Sequence, residues 1–167
     1  MTNFFDKCLV TMFGLGKVKI IPGTIGSLVT VIVLYNLLHT FNVSLNKILL
    51  VLIIIFIYSF YAVANYIKYS ENKDPKEIVI DEFIGQSIPI YLYEISHGID
   101  KSSEEAFNFY IICFLLFRFF DIIKPFPVNF FDKNFKNSFG VIMDDVCAGF
   151  YVVLSLICYM VLTSYFV

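Results

Sequence analysis

Charge is what this chain has least of. Only 16% of its 167 residues are Asp, Glu, Lys or Arg, against 59% hydrophobic, where a soluble domain is about a quarter charged. With a mean hydropathy of +0.79, the composition places the chain among membrane proteins. A formal net charge of −2 leaves no basic footprint for nucleic acid. Cysteines are few and unpaired in spacing: Cys8, Cys113, Cys147 and Cys158 form no C-x-x-C motif. Three of them lie in apolar runs, where a thiol behaves as a small hydrophobe, so neither a disulfide framework nor a thiolate metal site is expected. The N-terminus lacks the charged, apolar and small-residue series of a removable signal peptide. Repeats and low-complexity linkers are missing too, and the length fits one domain over residues 1–167.

What is present is a set of apolar runs. Phe4 to Phe13 places Phe4, Phe5, Cys8, Leu9, Met12 and Phe13 at helical spacing with Asp6 and Lys7 opposite, which predicts a short helix at the membrane interface or on the bundle. A turn at Pro22–Ser27 leads into a run ending at Phe41, with Thr24 or Ser27 as its cap. Ile48–Ile67 carries no charge over about 20 residues, the length of a membrane span. A polar segment, Lys68 to Glu82, precedes a short run, Phe83–Ile95, that contains Pro89. A polar loop from His97 to Glu105 is followed by Ala106–Ile123 and, last, Val146–Val167. The expectation is an all-α, polytopic membrane bundle of about five apolar helices with an N-terminal interfacial helix.

Basic residues orient it. If all five runs cross from a cytoplasmic N-terminus, the inner side receives Lys7, Lys17, Lys19, Lys68, Lys73, Lys76, Arg118, Lys124, Lys133 and Lys136, and the outer side Lys47 and Lys101. That asymmetry is the positive-inside pattern. It also brings the polar stretches at 14–24, 68–82 and 118–145 to one face, provided the short third run crosses. Such a run must be thin, tilted or broken, which is tolerated where protein covers it.

The polar residues gathered there have a chemical character. Two acidic pairs, Asp81–Glu82 and Asp144–Asp145, stand ahead of apolar runs. Arg118, the chain's one arginine, recurs at three-residue spacing with Asp121 and Lys124, and the three share a face if the helix reaches Pro125. The Pro-Gly-Thr-x-Gly-Ser turn would present backbone N–H groups to an anion. Carboxylates in this number suit a hard cation such as Mg²⁺ bridging to phosphate, while Arg118 and Lys124 suit the phosphate oxygens. Each feature alone has a bland counterpart: helix caps, a plain salt bridge, a helix start. Collected in an apolar chain, where each ionisable group costs about 2.5–3.5 kcal/mol at a span's centre, they point to phosphoryl chemistry on a lipid-borne phosphate. Cys113 and Arg118 are separated by four residues rather than the five of a cysteine phosphatase loop. His39 and His97 fall toward the other side, and no Asp-x-Asp signature of aspartyl-phosphate enzymes is present. A small non-enzymatic transporter or channel subunit, with charges lining a path, is the reading from another class.

Three blocks carry a family likeness. Pro22-Gly23-Thr24-Ile25-Gly26-Ser27-Leu28 is similar to a PGT-x-GSL block, and Asp74 to Gly85 to DP-x-x-IV-x-DE-x-x-G. Phe117 to Pro127 is similar to FR-x-FD-x-x-KPWP, continued by Asp144-Asp145-Val146-Cys147-Ala148-Gly149. In this order they resemble the phosphatidylglycerophosphatase A family of bacterial lipid phosphatases. The family's tryptophans fall on Ile25 and Phe126, a proline on Lys19, and a glycine pair near Asn137–Ser138 is missing. The resemblance implies Mg²⁺-dependent hydrolysis of phosphatidylglycerophosphate at the inner face of the bacterial cytoplasmic membrane. Residues and resemblance together assign Asp81, Glu82, Asp144 and Asp145 to metal and water activation, and Asp121 to the metal or to orienting Arg118. Arg118 and Lys124 would bind phosphate, with Gly23, Thr24 and Ser27 as further contacts. Another phosphate monoester remains the alternative substrate.

Overall fold

A computed structural model describes residues 3–70, 75–97 and 102–166. Lys73, Asp74 and Lys101 lie outside them. The described residues form an all-helical membrane bundle: α1 (Phe4–Val10), α2 (Pro22–Tyr35, extended by a π-helical turn over Asn36–Thr40), α3 (Leu45–Lys68), α4 (Ile80–His97), α5 (Ser103–Ile123), α6 (Val128–Asn134) and α7 (Ser138–Phe166). Among the described residues, four stretches are long and apolar enough to cross a membrane: Pro22–Thr40, Leu45–Lys68, Ser103–Ile123 and Ser138–Tyr165.

The third apolar run behaves differently. It is neither broken nor confined to Phe83–Ile95, since α4 is a continuous helix of 18 residues with Pro89 inside it, about 27 Å long at 1.5 Å per residue. It packs against α2, α3, α5 and most extensively α7. Its own residues therefore need not be lipophilic, because protein rather than lipid covers it. Ile90 and Tyr93 join the core shared with α2 and α5, around Val31, Tyr110 and Phe117. Ile80 and Ile84 join the core shared with α1, α3 and α7, around Val10, Val63 and Ile142. The helix thus partitions the interior. Pro89 has no N–H to offer the Gly85 carbonyl, and Gly149 of α7 is the residue that closes on that carbonyl.

Several boundaries depart from the sequence reading. The last helix starts at Ser138, not Val146, so Asp144–Asp145 stand two turns inside it rather than ahead of it. The first helix departs from its expected faces at Asp6, while Leu9 and Met12 pack into the core and Lys7 stays exposed. Asp6 is buried, accepting from Tyr58 Oη (2.7 Å) and Asn65 Nδ2 (3.1 Å) on α3, while Phe4, Phe5 and Phe13 are exposed. Two donors on α3 outweigh the amphipathic pattern, since a buried carboxylate must be hydrogen-bonded. Neither Thr24 nor Ser27 caps α2: Pro22 is its first residue and Ile21 precedes it in a left-handed conformation. Proline is suited to that first position. At the far end of the bundle Ser102 and Glu105 form a reciprocal capping box on α5. The four cysteines are free thiols.

Candidate active site

At one end of the bundle a cavity of about 280 Å³ collects the first turn of α2, the approach to α4, the end of α5, α6 and the first turns of α7. The three polar stretches of the sequence do converge. Val79 N–H donates to the Val10 carbonyl (3.0 Å), which ties the approach to α4 to the end of α1. From there Asp81 and Glu82 occupy the first turn of α4. Asp145 reaches them from α7, and the three offer carboxylate oxygens all within 4.8 Å of one another. Asp81 and Asp145 are buried.

The cations are arranged beside this cluster. Arg118 Nη1 pairs with Asp121 Oδ2 at 2.9 Å and approaches Ser27 Oγ at 3.5 Å. Ser27, fully buried, in turn donates to the Gly23 carbonyl at 3.0 Å, so it sits behind the guanidinium rather than in the cavity wall. Helix α5 ends at Ile123, and Lys124 takes a left-handed conformation at its cap. The common face expected of Arg118, Asp121 and Lys124 therefore stops at Asp121. Lys124 still enters the cavity, with Nζ 3.1 Å from Asp144 Oδ2 and 3.0 Å from Asp132 Oδ1. Burial alone would lower its pKa. The charges and hydrogen bonds of Asp144 and Asp132 outweigh that and raise it above the ordinary lysine value.

Gly23 and Thr24 line the cavity at the start of α2, where first-turn N–H groups have no intrahelical acceptor. Gly23 leaves room for the Glu82 carboxylate: a Cβ there would collide with Glu82 Oε1, so that carboxylate would have to move, and would stand 3.4 Å from Arg118 Nη1.

The family model of phosphatidylglycerophosphatase A matches residues 8–160. The chain belongs to that family. A Bacteroides thetaiotaomicron protein described provisionally as a phosphatidylinositol-3-phosphatase is 34% identical over 152 residues, covering 89% of each chain. The phosphatidylglycerophosphatase A of Haemophilus influenzae is 34% identical over 146 residues, 87% of this chain and 83% of that one. That of Escherichia coli is 29% identical over 141 residues, 84% and 75% respectively. No solved structure matches. By family the chain is a phosphatase, a phosphoric monoester hydrolase.

Within this cavity the acids divide into two kinds. Asp121 is committed to Arg118, and Asp132 and Asp144 to Lys124. Asp81, Glu82 and Asp145 have no cationic partner among the described residues, and Glu82 Oε2 is buried without a hydrogen bond. Like charges so placed need a counter-ion or protons. Three oxygen donors at this spacing fit a hard divalent cation. Asp144, grouped with them from sequence, is turned instead to Lys124, because its neighbour Asp145 projects from a different face of α7. Asp132 was not singled out from sequence. Its signal was faint, an acid on a short Phe-rich helix eight residues beyond Lys124.

Proposed function

We propose that the chain hydrolyses phosphatidylglycerophosphate to phosphatidylglycerol and phosphate, using Mg²⁺ held by Asp81, Glu82 and Asp145, at the cytoplasmic face of the bacterial inner membrane. The observation that carries this reading is the division of one cavity into a cluster of unpaired carboxylates and a pair of anchored cations. Bound among the carboxylates, the ion would neutralise charge on the phosphoryl group.

The chain's own residues do the rest. Arg118, held by Asp121 and Ser27, offers its planar fork to non-bridging phosphate oxygens. Lys124 contributes a point charge whose position Asp132 and Asp144 fix. The free N–H groups of Gly23 and Thr24 add donors at the positive end of α2. Water adds to phosphorus, the ester P–O bond breaks, and the lipid alcohol leaves with a proton. A proton acceptor for the water must be a carboxylate without a cation partner, which confines it to Asp81, Glu82 and Asp145. The names of relatives support two phosphorylated glycerolipids as substrates, and the phosphatidylglycerophosphatases support the first.

Phosphate release from purified protein in detergent tests the proposal, with phosphatidylglycerophosphate, phosphatidylinositol 3-phosphate and glycerol 3-phosphate compared. Release from the first, abolished by a chelator and restored by Mg²⁺, is expected. Preference for the inositol lipid overturns the substrate, and chelator-insensitive release overturns the metal. A reporter fused after Lys133 reads cytoplasmic if the cavity faces inward.

A further inference from the structure

Among the described residues, the buried side-chain atoms without a hydrogen-bonding partner include Glu82 Oε2, Arg118 Nε, and both Nε2 and Oε1 of Gln86. Gln86 is wholly removed from solvent and does not line the cavity. A primary amide left unpaired in an interior is costly, and native structures hold few such groups without a reason.

Position links the four. Gln86 follows Glu82 by four residues on α4, which puts their Cβ atoms about 5–6 Å apart on one face. Glu82 and Arg118 face each other across Gly23. The residues beside them fix the level of the crossing, because Gly85 packs on the Phe117 ring, 2.7 Å from a Cβ built at Gly85. Gln86 and Arg118, each one residue further along these antiparallel helices, therefore lie within about 3 Å of the same level. The inventory also matches. An amide carries one acceptor and one NH₂ donor, Arg118 Nε–H lacks an acceptor, and Glu82 Oε2 lacks a donor.

We propose that Gln86 is a positioning residue that clasps Glu82 and Arg118 behind the cavity, its Nε2 donating to Glu82 Oε2 and its Oε1 accepting from Arg118 Nε. The proposal rests on the phosphatase reading of the cavity. The clasp closes when a cation beside Glu82 and a phosphate beside Arg118 fix the outer atoms of both groups, turning the inner atom of each toward the amide. Gln86 then couples metal and phosphate sites without touching either ligand.

The test uses Gln86→Leu and Gln86→Met in the full-length protein in detergent. It records melting temperature, the Mg²⁺ concentration that shifts melting without substrate, and phosphate release. Both variants are expected to melt at or above the wild type, since an apolar side chain replaces an unpaired amide. The Mg²⁺ needed for the melting shift should rise, and turnover fall, by about 10–100-fold, as for other groups that orient metal ligands. Both variants melting well below wild type would show that the amide is a structural partner in the resting fold, and wild-type metal demand with wild-type turnover would show that it orients nothing. Either result overturns the proposal alone. A wild type that releases no phosphate from any substrate sinks the underlying phosphatase reading with it.

Discussion

Helix α4 carries glutamates near both ends, Glu82 and Glu94, about 18 Å apart by helical rise, and the fold treats them in opposite ways. Glu94 is buried with its Oε1 accepting from Tyr110 Oη at 2.9 Å and facing His39 Nε2 at 3.2 Å. Tyr35 stacks beside His39 and edge-on to Tyr110, enclosing the group. Glu82 instead lies among acids, with one oxygen buried and unpaired. A buried carboxylate that is satisfied within the chain stabilises the fold. One left unsatisfied among its own kind stores a demand that a ligand can meet. Burial by itself does not separate a structural acid from a functional one; partnership does.

Substitutions at the two ends break or sharpen that contrast. Glu82→Gln and Asp145→Asn have the largest expected effect on activity, a loss of phosphate release of about 100-fold or more, with a melting temperature equal to or above wild type because like-charge crowding is relieved. A marked drop in melting temperature for both would place these acids in the structural class. Next comes Arg118→Lys, which keeps the charge and loses the fork; turnover should fall about 10–100-fold in a steady-state assay. Gly23→Ala pushes a methyl into Glu82 Oε1, and about a tenfold loss follows from the displaced carboxylate. At the other end, Glu94→Gln should cost about 1–3 kcal/mol of stability by denaturant titration while turnover stays within about twofold. Loss of activity without loss of stability there would overturn the contrast. Asp132→Asn is the mildest, since Lys124 keeps Asp144. A change in KM below about threefold is expected, with kcat held.

Much of the site was legible because its blocks are dense in residues with one chemical preference. Asp81–Glu82, Asp144–Asp145, Arg118 and Lys124 stand out from an apolar background, and the convergence of three polar stretches needed only that α4 run the length of the bundle. Which acid pairs with which cation was not legible. That depends on the rotation of α7, which begins eight residues earlier than its unbroken apolar run and so turns Asp144 and Asp145 to different neighbours. The role of Asp6 was misread for a similar reason. Its partners, Tyr58 and Asn65, lie more than fifty residues away on α3 and leave no mark on the local pattern. Gln86, Glu94 and His39 are single polar residues in apolar surroundings, with no local pattern to mark them. Only their partners, or lack of them, distinguish them.

The meeting of α4 and α7 carries a last consequence. A Cβ on Gly149 would strike the Gly85 carbonyl, and one on Gly85 would meet the Asp145 carbonyl at 2.5 Å. The two backbones thus run at a gauge that any side chain at these glycines would widen, and Asp81 and Glu82 stand on one rail, Asp145 on the other. The width of the space between those carboxylates is set by two hydrogen atoms a turn below it. Under the proposed metal site, discrimination among cations by radius would rest on glycine as much as on the acids themselves.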